Sequence, residues 1–201
     1  MFSIIRLLIG VLLFCVSIIV ARTSKKNYKP KIIVSAVISS LVVGFLNFVP
    51  IENVVTTFSS PESVYRYVVS GNYDIKLTLD GCESTMVVGQ KGNTSNCLII
   101  PKTSDGWKLG IGVDTKIIKT QNSGAISVSV FQHRKTGEHY ISVLDASGAK
   151  LDISDNCSSK FALLEKKSEI ADKVYSTYYA YLSEFGQGYS IIVNGEQIHI
   201  N

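Results

Sequence analysis

Apolar residues fall along this chain in two regimes. Two near-continuous runs come first: residues 7–21 (LLIGVLLFCVSIIVA), extended by MFSII across Arg6, and residues 32–49 (IIVSAVISSLVVGFLNFV). With their flanks, both reach the roughly 20 apolar residues that a bilayer-spanning helix needs. The pattern therefore predicts helices at about 2–21 and 32–50, a transmembrane hairpin joined by a loop at 22–31. Small residues four apart, Ser35/Ser39 and Ser40/Gly44, form a stripe on the second run that suits close approach of another helix, with Gly10 on the first. A short amphipathic helix is predicted over 61–70. Ser60 is its N-cap, Pro61 its first residue and Glu62 its first-turn acid; Val64, Tyr65, Val68 and Val69 share a face, and Gly71 stops it.

From Tyr73 the pattern changes to alternation punctuated by turn residues. In IKLTLDGCESTM, a turn centred on Asp80 and Gly81 pairs Leu79 with Cys82, Leu77 with Ser84 and Ile75 with Met86, leaving Lys76, Thr78, Glu83 and Thr85 on the other face. A turn at Gly92 and Asn93 pairs Val88 with Cys97. The Asn194-Gly195 dipeptide pairs Val193 with Glu196, Ile191 with Ile198 and Tyr189 with Ile200. VLDASGAKLDI reads as a hairpin around Ser147 and Gly148, matching Asp145 with Lys150. Residues 169–185 carry two signals: Ile170, Val174, Tyr178, Tyr181, Leu182 and Phe185 recur at helical spacing, whereas the density of Val, Thr and Tyr favours strand. We take them as strand. The fold expected is an N-terminal transmembrane helical hairpin (1–50) followed by a mainly antiparallel β domain (51–201), a sandwich or meander with one short helix at its start.

Charge sharpens this organisation. The chain has 20 Lys and Arg against 16 Asp and Glu, a net +4, but the first fifty residues hold six cations and no acid. The folded remainder is slightly acidic, which excludes a nucleic-acid partner that would need clustered cations. Arg22, Lys25, Lys26, Lys29 and Lys31 lie in ARTSKKNYKPK between the apolar runs, and cations in short loops stay cytoplasmic. They are read as topology determinants. The expectation is a two-pass protein of the cell membrane, with the lipid bilayer as a partner and residues 51–201 extracytoplasmic. A rival reading makes the first run a cleaved signal peptide ending at Ala21; Ile19 stands where a small residue is wanted, and the densest charge follows the run.

The stretches VPIENVVTTFSSPESVYRY, IIPKTSDGWKLG, STYYAYLSEF and VNGEQI resemble small predicted membrane proteins of Firmicutes-type Gram-positive bacteria. The resemblance covers most of residues 48–200 and carries no catalytic motif. It implies a bacterial cell-envelope setting and nothing about chemistry.

Candidate chemistry is sparse. The register separates Cys82 from Cys97 by roughly 20 Å along the strand, beyond the reach of a disulfide, so these and Cys157 are expected to be buried thiols. His133 and His139 flank a turn in QHRKTGEHY and point to opposite faces if Thr136 and Gly137 centre it, which does not build a metal site. Asp152 and Asp155 lack the glycine and terminal Glu of a calcium loop. No metal, cofactor or catalytic residue is assigned. If residues 174–183 are strand, Tyr175, Tyr179 and Tyr181 share one face, and with Trp107 in SDGWKLG they form the candidate ligand surface; the alternative is that these rings cover one side of the sheet. The functional expectation is a membrane-anchored, extracytoplasmic, non-enzymatic binding or interaction module of the cell envelope, with a cell-wall or membrane-protein partner. The alternatives are a subunit of a larger membrane complex and a cysteine-dependent hydrolase using Cys157.

Overall fold

The apolar runs fold as two helices, α1 (Phe2–Thr23) and α2 (Tyr28–Phe48), which pack against each other. Gly10 makes the approach possible, because a Cβ there would collide with Val43 Cγ2. Half of the small-residue stripe packs: Ser35 and Ser39 are buried, whereas Ser40 is exposed and the space beside Gly44 is empty. The structure is a computed structural model. It describes residues 2–23, 28–48, 53, 56–110, 114–147, 149–167 and 174–200, and divides into two units, Met1–Thr56 and Thr57–Asn201.

The first unit corrects the membrane reading. Among the described residues no helix is long and apolar enough to cross a membrane. Ser17, Ser35, Ser39 and Ser40 interrupt the apolar runs, and α2 starts at Tyr28, so Lys29 and Lys31 belong to a helix rather than a loop. Arg22 likewise sits in the last turn of α1, while Lys25 and Lys26 lie outside the described residues. The transmembrane hairpin, the two-pass cell-membrane localisation and the extracytoplasmic placement of residues 51–201 are therefore not supported. Leu8, Leu12, Ile19, Ile33, Leu41 and Phe45 are each more than half exposed on this unit.

The second unit is antiparallel β throughout its described ladders. It opens with α3 (Pro61–Val68), capped by Ser60, whose hydroxyl accepts from the Ser63 N–H at 3.2 Å while Ser63 bonds back to Ser60. Strands β1 (Asp74–Asp80), β2 (Ser84–Lys91), β3 (Thr94–Thr103) and β4 (Gly106–Trp107) form a four-stranded sheet in chain order. The central sheet runs β5-β6-β7-β10-β9, from β5 (Thr115–Ser123), β6 (Ile126–His133), β7 (His139–Asp145), β9 (Ala162–Lys167) and β10 (Val174–Leu182). A third sheet orders β12 (Glu196–His199), β11 (Ser190–Val193) and β8 (Ile153–Asp155).

These elements stack in layers. α3 covers the outer face of the first sheet, burying Val64 and Tyr65; the Tyr65 hydroxyl reaches the Asn96 carbonyl at 3.3 Å, and Gly89 leaves room for the ring, which a Cβ would strike. The inner face of that sheet meets the central sheet through Met86, Val88, Ile99, Tyr140 and Tyr179. The other face of the central sheet packs Val130, Ile141, Val143, Ala180 and Leu182 against Ile191, Val193 and Ile198 of the third sheet. Alternation alone would leave one face of a sheet wet, but here both faces of β7 and β10 are covered. That double burial is why VYSTYYAYL matched helical spacing as well as strand: nearly every position is apolar or aromatic. The strand reading of residues 174–182 holds; residues 168–173 lie outside the described set.

Registers agree where the turn dipeptide is specific. Val193 pairs with Glu196 and Ile191 with Ile198, with Asn194 at φ 50° and Gly195 at φ 85°, the left-handed pair that such a turn requires. Val88 pairs with Cys97. The β1–β2 hairpin departs from expectation: Leu79 pairs with Met86 and Asp80 with Thr85, giving a longer turn over residues 81–84. The slip is even-numbered over Leu77–Asp80, so Leu77 and Leu79 keep the apolar face, while a bulge between Ile75 and Leu77 sets Ile75 opposite Gly89. The hairpin joining Asp145 to Lys150 does not form, since β7 pairs with β6 and β10. Asp145 instead accepts from the Ser147 N–H and hydroxyl, a local turn that satisfies its carboxylate without a cation.

Candidate functional site

The expected tyrosine surface lies between two sheets. Tyr179 is 7% exposed and packs with Met86, Val88 and Ile99; burial pushes its hydroxyl up to about 12. Tyr181 is half-buried, its hydroxyl donating to Glu138 at 3.0 Å, and its ring lies 5.4 Å from that of Tyr140. Tyr175 is half-buried on the same strand. Trp107 is apart from them, on β4 at the edge of the first sheet. Its backbone pairs with Phe58, its indole N–H donates to Thr85, and Lys102 Nζ stands 5.9 Å over its ring.

What closes this region is Glu138, which a turn centred on Thr136 and Gly137 would set opposite Lys135. The actual pairing, Gln132 with His139, shifts the register by two residues and lengthens the turn to residues 134–137; Glu138, two residues before the buried Tyr140, shares its inward face and is 9% exposed. Its carboxylate accepts from the backbone N–H of Cys82 at 2.6 Å and of Glu83 at 3.0 Å, from Tyr181, and from the Ser84 hydroxyl. Three of these donors converge on Oε1 and the Ser84 hydroxyl takes Oε2. Burial pushes this carboxyl up, but the hydrogen bonds from Ser84, Glu83, Tyr181 and Cys82 more than offset it and hold it below its ordinary value. Gly81 is required here: a Cβ would lie 2.7 Å from the Tyr140 hydroxyl and 2.9 Å from Glu138 Oε1. The arrangement ties the β1–β2 turn to the central sheet.

An open site lies just past the C-terminal end of β10, in the loop that follows Leu182. The loop from Ser183 to Tyr189 carries Phe185 between the rings of His139 (5.0 Å) and Tyr189 (5.3 Å), and the Tyr189 hydroxyl donates to Asp155 at 2.9 Å. Burial lowers the pKa of His139, so this stack has a neutral partner at pH 7. Two hollows share Phe185, Gly186 and Gln187. The larger, about 580 Å³, is bordered by Ile118 and Lys119 of β5 and by Ile200. The smaller, about 420 Å³, is bordered by Asn156, Cys157, Glu184 and Tyr189. Both fall in the size range of small-molecule sites, roughly 300–1,000 Å³. The available sequence signal was FGQGYS, two aromatics separated by Gly-Gln-Gly shortly before the Asn194-Gly195 turn.

The remaining candidates are separated or already engaged. Cys157 lines the smaller hollow, but burial, then Asp155 and Glu184, push its thiol pKa up, and the described lining contains no histidine to act as base. Its thiol contacts the Glu184 carbonyl at 3.6 Å. Asp155 is occupied by the Cys157 and Ser159 N–H groups and by Tyr189, while the Asp152 N–H bonds to Asn194. His133 and His139 do face opposite sides: His133 is fully buried with Nδ1 against Thr136, and His139 stacks on Phe185. The thiols are not uniformly buried as expected: Cys82 is exposed, Cys97 and Cys157 are half-buried, and all are free.

Comparison of the chain with protein-family models, with curated proteins and with solved structures finds no match. With no family match and no membrane-spanning helix among the described residues, the resemblance to Firmicutes membrane proteins is not supported.

Proposed function

We propose that the β unit is a non-enzymatic binding module that takes its ligand in the cleft around Phe185. The observation that carries this is the pair of adjoining hollows built on one rigidly stacked aromatic ring, with apolar walls from Ile118 and Ile200 and polar groups from Lys119, Gln187 and Asn156. A few placed polar groups around an apolar wall are what recognition sites provide. The hydrolase alternative lacks comparable support, because a nucleophilic cysteine needs a lowered pKa and a nearby base, and Cys157 has a raised pKa.

Gly186 gives a clean test. It borders both hollows, its backbone is not left-handed, and a Cβ built on it meets nothing within 4 Å. A Gly186→Leu variant therefore fills the cleft without straining the fold. Ligand-observed NMR with a mixture of small aromatic and aliphatic carboxylates and amides is expected to give hits on the full chain that vanish in Gly186→Leu. Hits that persist unchanged in the variant, or a complete absence of hits, would overturn the reading.

A further inference from the structure

The larger hollow borders the outer edge of β5, and we propose that this edge captures an extended acidic peptide by strand addition, with one apolar side chain of the peptide seated beside Phe185. This rests on the cleft reading and names the class of its partner.

Three observations carry it. First, β5 is the terminal strand of the central sheet, and among the described residues its only ladder is with β6. Its other side presents backbone donors and acceptors over nine residues, the template that strand addition uses. Second, the edge and the hollow are continuous. Ile117 pairs with Phe131 and Lys119 with Val130, so Ile118 is the extra residue of a bulge, and Ile118 and Lys119 are the β5 residues that border the hollow. A strand laid along β5 directs every second side chain to one face, which brings one of them over Phe185.

Third, charge selects the occupant. The β5 segment TKIIKTQNS contains Lys116 and Lys119, both exposed, and no acid. Pairing this edge with a second copy of itself would place four lysines and no acid on one ladder, and like charges across strands destabilise pairing. Lysines and a bulge are also the devices that keep edges from self-association. A strand bearing glutamates turns the same lysines from a barrier into a recognition element. Glu184, the carboxylate bordering the cleft, lines the smaller hollow, which β5 does not border.

The test uses the full chain and fluorescein-labelled synthetic peptides read by anisotropy: EVEFEVE, its lysine counterpart KVKFKVK, a version of the acidic peptide with proline at alternate positions, and one with alanine in place of phenylalanine. Saturable binding of EVEFEVE is expected, with the proline and lysine peptides failing to bind. The double variant Lys116→Glu/Lys119→Glu should weaken EVEFEVE at least about tenfold and gain binding of KVKFKVK. Gly186→Leu should weaken the phenylalanine peptide and leave the alanine peptide unchanged. Equal binding of the proline peptide would reduce the interaction to non-specific charge and overturn the proposal. If EVEFEVE does not bind while the small-molecule hits still depend on an open Gly186, strand addition falls and the cleft stands; if both are absent, both fall.

Discussion

The tyrosine row of β10 and Phe185 lie within a few residues of one another on the same stretch of chain, yet one is closed and the other open. Tyr179 and Tyr181 point into the space between two sheets, where Met86, Val88 and Glu138 supply apolar contact and hydrogen-bond acceptors. Phe185 sits past the strand's end, half-buried against the edge of the core, with its ring flanked by His139 and Tyr189 and bordering two hollows. Residue type does not decide which aromatic is available to a ligand. What decides it is whether the chain already provides the partner.

The largest predicted effect follows directly. Tyr179→Ala should cost about 3–5 kcal/mol, as for other large truncations in a packed core. Phe185→Ala, which removes a half-buried ring and its aromatic neighbours, should cost less, about 1.5–3 kcal/mol. Urea denaturation of the two variants measures both, and equal costs would break the distinction between a packed and an open ring.

Next in size is the tie at Glu138. Glu138→Gln should cost about 1.5–3 kcal/mol, since the hydrogen bonds lost are charge-assisted. Its folded pKa lies below 4.5, so its contribution is complete above that value and is lost as pH falls through the folded pKa. The wild-type protein should therefore lose stability in acid more steeply than Glu138→Gln, as read by thermal melts from pH 6 to 3. Melts that shift in parallel would place the carboxylate outside the inter-sheet contact.

His133 should add a gentler slope at higher pH. Burial lowers its folded pKa, with Asp114 and Glu138 opposing and Lys135 assisting, so the unfolded chain binds the proton first as pH falls below about 6.5. Stability is then present above 6.5 and declines below it by at most about 1.4 kcal/mol per pH unit until the folded pKa is reached. His133→Gln should reduce the slope between pH 6.5 and 5, leaving the part that His139 contributes. The smallest effect expected is none: all described cysteines are free, so reducing agent should leave the melting temperature unchanged, where loss of a disulfide would cost about 2–5 kcal/mol.

Legibility in the sequence tracked how local the determining physics is. Asn194-Gly195 set its own register because two left-handed residues in a row admit one tight turn. Ser60-Pro61 likewise announced α3. The β1–β2 turn was missed because Asp80-Gly81 looks like a two-residue turn, whereas the turn is set by Glu138, more than fifty residues away, bonding Cys82 and Glu83. Glu138 itself carried no local sign of burial. The apolar runs at 7–21 and 32–49 did mark helices; their serines and the helical position of Lys29 and Lys31 are where the membrane reading failed. The cleft could not be read at all, since Ile118, Phe185 and Ile200 converge only once the central and third sheets are stacked.

The most direct test of the distinction between the closed and open aromatics is chemical-shift mapping of the isotopically labelled full chain titrated with EVEFEVE. The account predicts perturbations at Ile118, Lys119, residues 185–188 and Ile200, with Tyr175, Tyr179, Tyr181 and Trp107 unmoved. Perturbations confined to those tyrosines and Trp107, with the Phe185 loop silent, would contradict it.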